Sequence, residues 1–289
     1  CADEWAARDF FVSVTEPDLI NTIASVFVSD LFCGATPPGT TPSATNTNGL
    51  LNDPGPLTWS NGYTTPVSGV PTYPGPLGYS FTPPTGQVVQ GNARQRTLAL
   101  INSAQDSLLV YNEELNDTQI LAALAAKTKQ LTAAQPGSVK VVMTISDNWF
   151  PAFHQLAKAG AIIRLTQADD SQDYTQQIYV HAKVIVADST DAFLGSENIS
   201  YASLNFNREL GLMLTTRTGA GPGWLNSIQG VSMLINTFMS DFMTPDLLQW
   251  DLTTGKSTMR AQVKAARSLG SSGAEGYPML CGPAPARTS

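Results

Sequence analysis

Hydrophobic and polar positions along this chain follow two periods, and the switches between them set the expected elements. From Gln87 onward helical and strand patterns take turns. Asn92 to Ala104 predicts a helix, Ser107 to Glu113 a strand built on Leu108, Leu109 and Val110, and Asp117 to Thr132 an Ala- and Leu-rich helix with Asp117 near its start. Val139 to Ser146 predicts a strand, Trp149 to Ala159 a helix stopped at Gly160, and Ala161 to Leu165 the next strand. In Ile178 to Ala187 the apolar positions Ile178, Val180, Val184 and Val186 predict a buried strand, so residues 181 and 183 share one of its faces. Leu210 to Thr215 is a further strand and Trp224 to Met243 a helix. This alternation predicts an α/β fold, a mixed sheet flanked by helices on both faces.

The amino-terminal stretch repeats part of that pattern. Arg8-Asp9-Phe-Phe-Val-Ser-Val predicts a strand, and Asp18 to Phe32 an amphipathic helix ending Phe27-Val-Ser-Asp-Leu-Phe32. Arg208-Glu209-Leu-Gly-Leu-Met-Leu and the helix ending Phe238-Met-Ser-Asp-Phe-Met243 form the same unit again; chance similarity of a short strand-helix pattern is the alternative. Between the copies, Gly34 to Gly86 is rich in Pro, Gly, Thr, Ser and Asn and reads as a connector without a core of its own. Its aromatic residues Trp59, Tyr63, Tyr73, Tyr79 and Phe81 are read as simple packing. The expected organisation is therefore 1–33 as the end of a first lobe, 34–86 as connector, 87–250 as a second lobe and 251–289 as a tail.

Composition narrows the function classes. Charged residues make up 13% of the 289, the net charge is −7 and the isoelectric point about 4.7, so a basic footprint for nonspecific nucleic-acid binding is missing. No apolar run approaches the roughly 20 residues that span a bilayer, which leaves peripheral membrane contact. The chain opens on Cys1 rather than Met and reads as trimmed at its amino end. Cys1, Cys33 and Cys281 have no zinc-ligand spacing and suggest disulfides of a secreted protein, free thiols being the alternative. Asp169, Asp170 and Asp173 are read as polar loop filler rather than a calcium site.

The chemistry is concentrated between Tyr179 and Glu209. His181-Ala-Lys183 is followed by Asp188, then by Gly195-Ser196-Glu197-Asn198 and by Arg208-Glu209. A Lys and an Asn can hold phosphoryl oxygens by charge and hydrogen bond, while a histidine beside them attacks phosphorus or protonates the leaving oxygen. Asn112-Glu113-Glu114 closes a strand and could reach the rim of such a site, although solvated carboxylates are the preferred reading.

The spacing His-x-Lys-(x)4-Asp with a following Gly-Ser-x-Asn resembles the signature of the phospholipase D superfamily, well over Gln87 to Met243 and weakly over Ala7 to Phe32. That resemblance implies a catalytic set of His181, Lys183, Asn198, Glu209 and Asp188. In it Glu209 hydrogen-bonds and orients the catalytic histidine, and Asp188 fixes local structure. Ser196 joins Lys183 and Asn198 in binding substrate, and Asp9, as counterpart of Glu209, would orient a histidine absent from this sequence. The implied reaction is phosphodiester hydrolysis or transfer through a phosphohistidine, without metal or other cofactor, on phospholipid head groups. A metal-independent nuclease and a non-catalytic phosphate-binding lobe are the alternatives. Members with two motifs bring two His-Lys pairs to one site, and this chain contains only His154 and His181. His154 falls in a helical pattern with no Lys two residues on. The second pair is expected from an upstream segment, a second chain or a second copy of this one.

Overall fold

The computed structural model describes residues 6–33, 55–60, 63–64, 73–74, 80–81, 88–89, 91–166, 178–244, 247–250 and 252, all within the first of two compact units, Cys1–Leu252. The cysteine side chains, the acidic loop carrying Asp169, Asp170 and Asp173, and residues 253–289 lie outside the described residues.

Strands Leu108–Asn112 (β3), Val139–Thr144 (β4) and Ile162–Thr166 (β5) run parallel, joined by helices Thr118–Ala134 (α3) and Phe150–Ala159 (α4). Helix Ala93–Ser103 (α2) precedes them. Asp117 caps α3 by accepting from the backbone N–H of Gln119 and Ile120 at 3.2 and 3.0 Å. Gly160 ends α4 at φ 109°, where a Cβ would stand 2.5 Å from Thr132 Oγ1.

The sheet then turns antiparallel. Lys183–Ala187 (β7) pairs with β3 on one side and Asp191–Gly195 (β8) on the other, and Leu210–Thr215 (β9) follows β8 after the short helix Tyr201–Asn205 (α5). The expected mixed sheet is thus formed, in the order β10-β9-β8-β7-β3-β4-β5-β11, with β10 at Leu225–Asn226 and β11 at Leu248–Gln249. Leu57–Trp59 (β2) shares the outer edge of β9 with β10. This strand lies inside the stretch read as a coreless connector, and Leu57, Thr58 and Trp59 are all buried. Three consecutive β-compatible residues sufficed where composition alone indicated loop.

Alternate residues face opposite layers. Leu109, Tyr111, Val184, Val186, Ala192, Leu194, Leu212 and Leu214 meet helices Pro17–Cys33 (α1) and Ile228–Phe242 (α6). Their strand neighbours face the layer that includes Leu100, Ile120, Leu124 and Phe153 from α2, α3 and α4.

Two expectations about strands change. The strand expected from Arg8 to Val14 forms instead at Ala6–Arg8 (β1), sharing only Arg8 with it. Ile178 to Ala187 is not one strand: Ile178–Val180 (β6) pairs in parallel with β1, outside the main sheet, and the chain breaks at His181-Ala182 before β7 begins. The break lets the first half follow β1 while the second half stays in register with β3.

A partly buried ion pair holds β1 in place. Arg8 donates from Nε and Nη2 to the Asp241 carboxylate of α6 at 2.7 and 2.9 Å, and Tyr111 Oη donates to the same carboxylate at 2.8 Å. Burial and the adjacent Asp241 push the Tyr111 phenol well above its usual range, so it remains a donor. Asp241→Ala would leave both donors without their acceptor and should cost about 2 kcal/mol in urea denaturation, with Asp241→Asn costing less.

Candidate active site

The break between β6 and β7 places the histidine. His181 N donates to Arg8 O at 3.1 Å, the last rung of the β1 ladder, which brings Asp9 alongside the ring. Asp9 Oδ2 lies 3.0 Å from His181 Nδ1. That contact directs the proton of a neutral imidazole to Nδ1 and leaves Nε2 with its lone pair towards the site. His181 remains 47% exposed at its side chain whereas Lys183 is 6% exposed. They do not share the face of one strand, because His181 lies in the break and Lys183 at the first position of β7.

They meet instead through a third residue. Lys183 faces Asn112 in the antiparallel register with β3, so the next residue, Glu113, emerges beside the Lys183 side chain. Glu113 Oε2 accepts from Lys183 Nζ at 2.8 Å and from Asn198 Nδ2 at 3.0 Å, and lies 3.6 Å from His181 Nε2. Tyr179 Oη donates to Glu113 Oε1, and the Tyr179 ring stacks on that of His181 at 6.2 Å. Lys183 Nζ also donates to His181 O at 2.6 Å. Burial alone would raise the Glu113 carboxyl, but hydrogen bonds from Lys183, Tyr179 and Asn198 outweigh it and hold Glu113 below the usual carboxylate range. Burial and the Glu113 carboxylate push the Tyr179 phenol up. The preferred reading of Glu113 as a solvated rim residue is therefore corrected: it is the hub of the cluster. The signal available was its place at the carboxy-terminal end of a strand, where ligands of open α/β sheets gather; the register that aims it at Lys183 is invisible in one sequence.

The Gly-Ser-Glu-Asn loop leaves β8 and is braced from two sides. Asn112 Oδ1 accepts from Ile199 N at 3.2 Å, and Asn198 N donates to Ser203 Oγ at 2.9 Å. Glu209 accepts from Ser196 Oγ at 2.6 Å, Ser203 Oγ at 3.2 Å and Asn207 Nδ2 at 3.0 Å. Glu209 is thus placed on this loop and Asp9 on His181, the reverse of the expected roles. The sheet order explains the exchange: Glu209 immediately precedes β9, beside the exit of β8, whereas β1 runs directly beside β6. Ser196 Oγ donates its hydrogen bond to Glu209 Oε2 and accepts from Leu210 N at 3.1 Å.

Glu197 between them is buried, and sequence reading passed it over. Thr58 Oγ1 donates to its Oε1 at 2.7 Å, while Oε2 would lie 2.1 and 2.6 Å from a Cβ on Gly195 or Gly211. The two glycines make the slot that this carboxyl fills. Burial pushes Glu197 up to about 8, against the opposing bond from Thr58, so it carries a proton at neutral pH.

Asp188, grouped with the catalytic residues by its motif position, lies at the other end of β7, roughly 15 Å along the strand from Lys183. It stands at φ 53° and Ser189 at φ 57° in the tight turn to β8, and its carboxylate accepts from the backbone N–H of Gln105, Asp106 and Ser107 at 2.7 to 2.9 Å. It fixes local structure, away from the cluster. His154 is an exposed residue of α4. Among the described residues no group of three or more His, Cys, Asp or Glu side chains is placed to hold a metal ion, and no helix is long and apolar enough to cross a membrane.

A mixed α/β sheet with a His, a Lys and an Asn converging where its strands end defines a lobe suited to holding phosphoryl oxygens. Residues 97–221, less than half of the chain, match the family described as "Cardiolipin synthase, PLD-like domain", which supports the resemblance of this segment to the phospholipase D superfamily. The matched segment contains Glu113, His181, Lys183, Asn198 and Glu209 but not Asp9. Similar solved structures include a phospholipase D family member, Nuc from Salmonella typhimurium, at 21% identity and TM-score 0.40, covering 55% of this chain and 90% of that one. NucT from Helicobacter pylori is similar at 14% identity and TM-score 0.41, covering 55% and 91%. The phosphatidylserine synthase of Haemophilus influenzae Rd KW20 is similar at 12% identity and TM-score 0.37, covering 63% and 43%. No curated protein sequence matches the chain.

Two predictions concern the loop. In the unfolded chain Glu197 ionises near 4.5 and in the folded chain near 8, so the folded state holds a proton that the unfolded state has released between those values. Stability is therefore fullest below about pH 4.5 and declines as pH rises to about 8, by at most about 1.4 kcal/mol per pH unit. Glu197→Gln should remove this contribution, so that the variant gains on the wild type in urea midpoints measured from pH 5 to 8.5. Gly195→Ala meets backbone as well as Glu197, with Leu210 O at 2.9 Å, and should destabilise by about 1–3 kcal/mol.

Proposed function

We propose that this chain is the second lobe of a phospholipase D-type phosphodiesterase that hydrolyses or transfers phospholipid head groups. The observation that supports it most is the pairing of His181 Nδ1 with Asp9, which leaves Nε2 facing Glu113 Oε2 at 3.6 Å, the oxygen on which Lys183 and Asn198 also converge. A histidine so held can serve as acid and base in turn. In the reaction, a second histidine attacks phosphorus, the P–O bond to the leaving alcohol breaks, and protonated His181 gives that oxygen its proton. The phosphohistidine then yields to water or an acceptor alcohol, whose proton returns to His181. Lys183 and Asn198 stabilise the oxygens on which charge builds.

The second His-x-Lys pair is not in these 289 residues, so it comes from a further segment, another chain or a second copy. The repeated strand-helix unit favours a preceding lobe, with Glu209 holding that lobe's histidine as Asp9 holds His181. A lipid substrate is favoured over nucleic acid by the net charge of −7. Apolar residues follow the site directly: Phe11 and Val12 after Asp9, and Tyr201 and Phe206 after Asn198, all exposed. The cysteines fit a secreted setting.

The test is release of choline from phosphatidylcholine vesicles, run beside cleavage of single-stranded DNA, with and without EDTA. We expect lipid turnover that EDTA leaves unchanged; DNA cleavage alone would establish the nuclease reading, and silence towards both the phosphate-binding one. His181→Asn should reduce turnover by about 10²-fold or more with the melting temperature retained, and wild-type rates in that variant would overturn the site assignment. Asp9→Asn should lower kcat by about tenfold or more, since the amide no longer favours the imidazolium formed during proton transfer.

A further inference from the structure

The donors assigned to a phosphate by the motif are already occupied. Lys183 Nζ and Asn198 Nδ2 converge on one oxygen, Glu113 Oε2, which also lies 3.6 Å from His181 Nε2. The second oxygen takes the Tyr179 hydroxyl. A carboxylate thus stands where two non-bridging oxygens of a phosphate would meet the same groups. We propose that Glu113 is an internal anion filling the phosphate subsite of this lobe, and that a phosphate group binds by displacing it. The proposal rests on the phosphodiesterase reading only for the class of ligand.

Charge balance leads to the same conclusion. With its imidazole protonated, His181 and Lys183 supply two positive charges, and Asp9 and Glu113 oppose them with two negative ones. A singly charged phosphodiester entering beside Glu113 would find no net attraction. Once Glu113 has swung aside, Lys183, Asn198 and Tyr179 are released together to the incoming oxygens. The side chain can move: it stands one position beyond the last residue of β3 and is 17% exposed, and it bears no part of the sheet ladder.

Glu113 is then a specificity-determining residue. Weak anions that cannot replace three hydrogen bonds are excluded, and a phosphate pays for entry with the bonds Glu113 gives up. While the subsite is empty, the carboxylate keeps the Lys183 and Asn198 side chains in the positions that the ligand needs.

The experiment measures binding of inorganic phosphate to the full chain by calorimetry and by the phosphate-induced rise in melting temperature. Glu113→Gln should bind phosphate at least about tenfold more tightly than wild type, a gain of about 1.4 kcal/mol, with a larger rise in melting temperature. Glu113→Ala should show the same direction, and adding Lys183→Met should abolish the gain in both. Equal or weaker binding in the folded variants, or a gain that survives Lys183→Met, overturns the proposal. Failure of both single variants to fold also overturns it, because a side chain that the fold cannot lose is not one that a ligand displaces. Phosphate affinity is read without turnover, so a catalytically silent chain still decides the matter. Where turnover is present, Glu113→Gln should lower KM; a kcat loss of about 10²-fold at unchanged KM would make Glu113 a catalytic base instead.

Discussion

The register of β7 between β3 and β8 is the constraint on which the site depends. Lys183 opposite Asn112 aims Glu113 at the ammonium, and Val184 opposite Leu194 sets where β8 ends and the Gly-Ser-Glu-Asn loop begins. A slip of one residue would turn Lys183 into the α1 and α6 layer and Val184 out of it. The buried Val184, Val186, Leu109 and Tyr111 prevent that slip through their packing on one face. The chemistry is held by apolar contacts that never touch it.

The second dependence runs through the amino-terminal segment. β1 contributes three residues to a two-stranded ladder, too little to hold itself, and it is fixed by the Arg8 pair with Asp241 on α6. Asp9 follows Arg8 immediately, so a contact made at the back of the lobe decides whether the imidazole at the front is oriented. Charge that would be costly to bury alone is made useful by joining three elements: β1, α6 and, through Tyr111, β3.

Much of this could be read in the sequence. Asp117 and Gly160 mark helix ends by capping and left-handed backbone, both local effects, and the alternation from Asn92 onward gave the layers. His181, Lys183 and Asn198 stood out because their residue types match one chemistry at one spacing. What escaped reading was non-local. The carboxylate on His181 comes from a residue 172 positions away, Glu113 reaches the centre through strand pairing, and Glu197 acquires its slot from Gly211, on the next strand. The break at His181-Ala182 was hidden because both halves are apolar in alternation; only competition between β1 and β3 for the same chain separates them.

The two glycines around Glu197 carry a consequence for how this loop can change over time. Gly195, Glu197 and Gly211 fill one slot from two adjacent strands, so a side chain at either glycine needs the carboxyl removed first. Loss of the carboxyl in turn leaves Thr58 Oγ1 without its acceptor. A side chain at either glycine leads downhill in stability, and at Gly195 the backbone of Leu210 and Gly211 stands in the way as well as the carboxyl. The loop is therefore expected to drift as a block of coupled positions, with the motif residues on either side of Glu197 carried along unaltered.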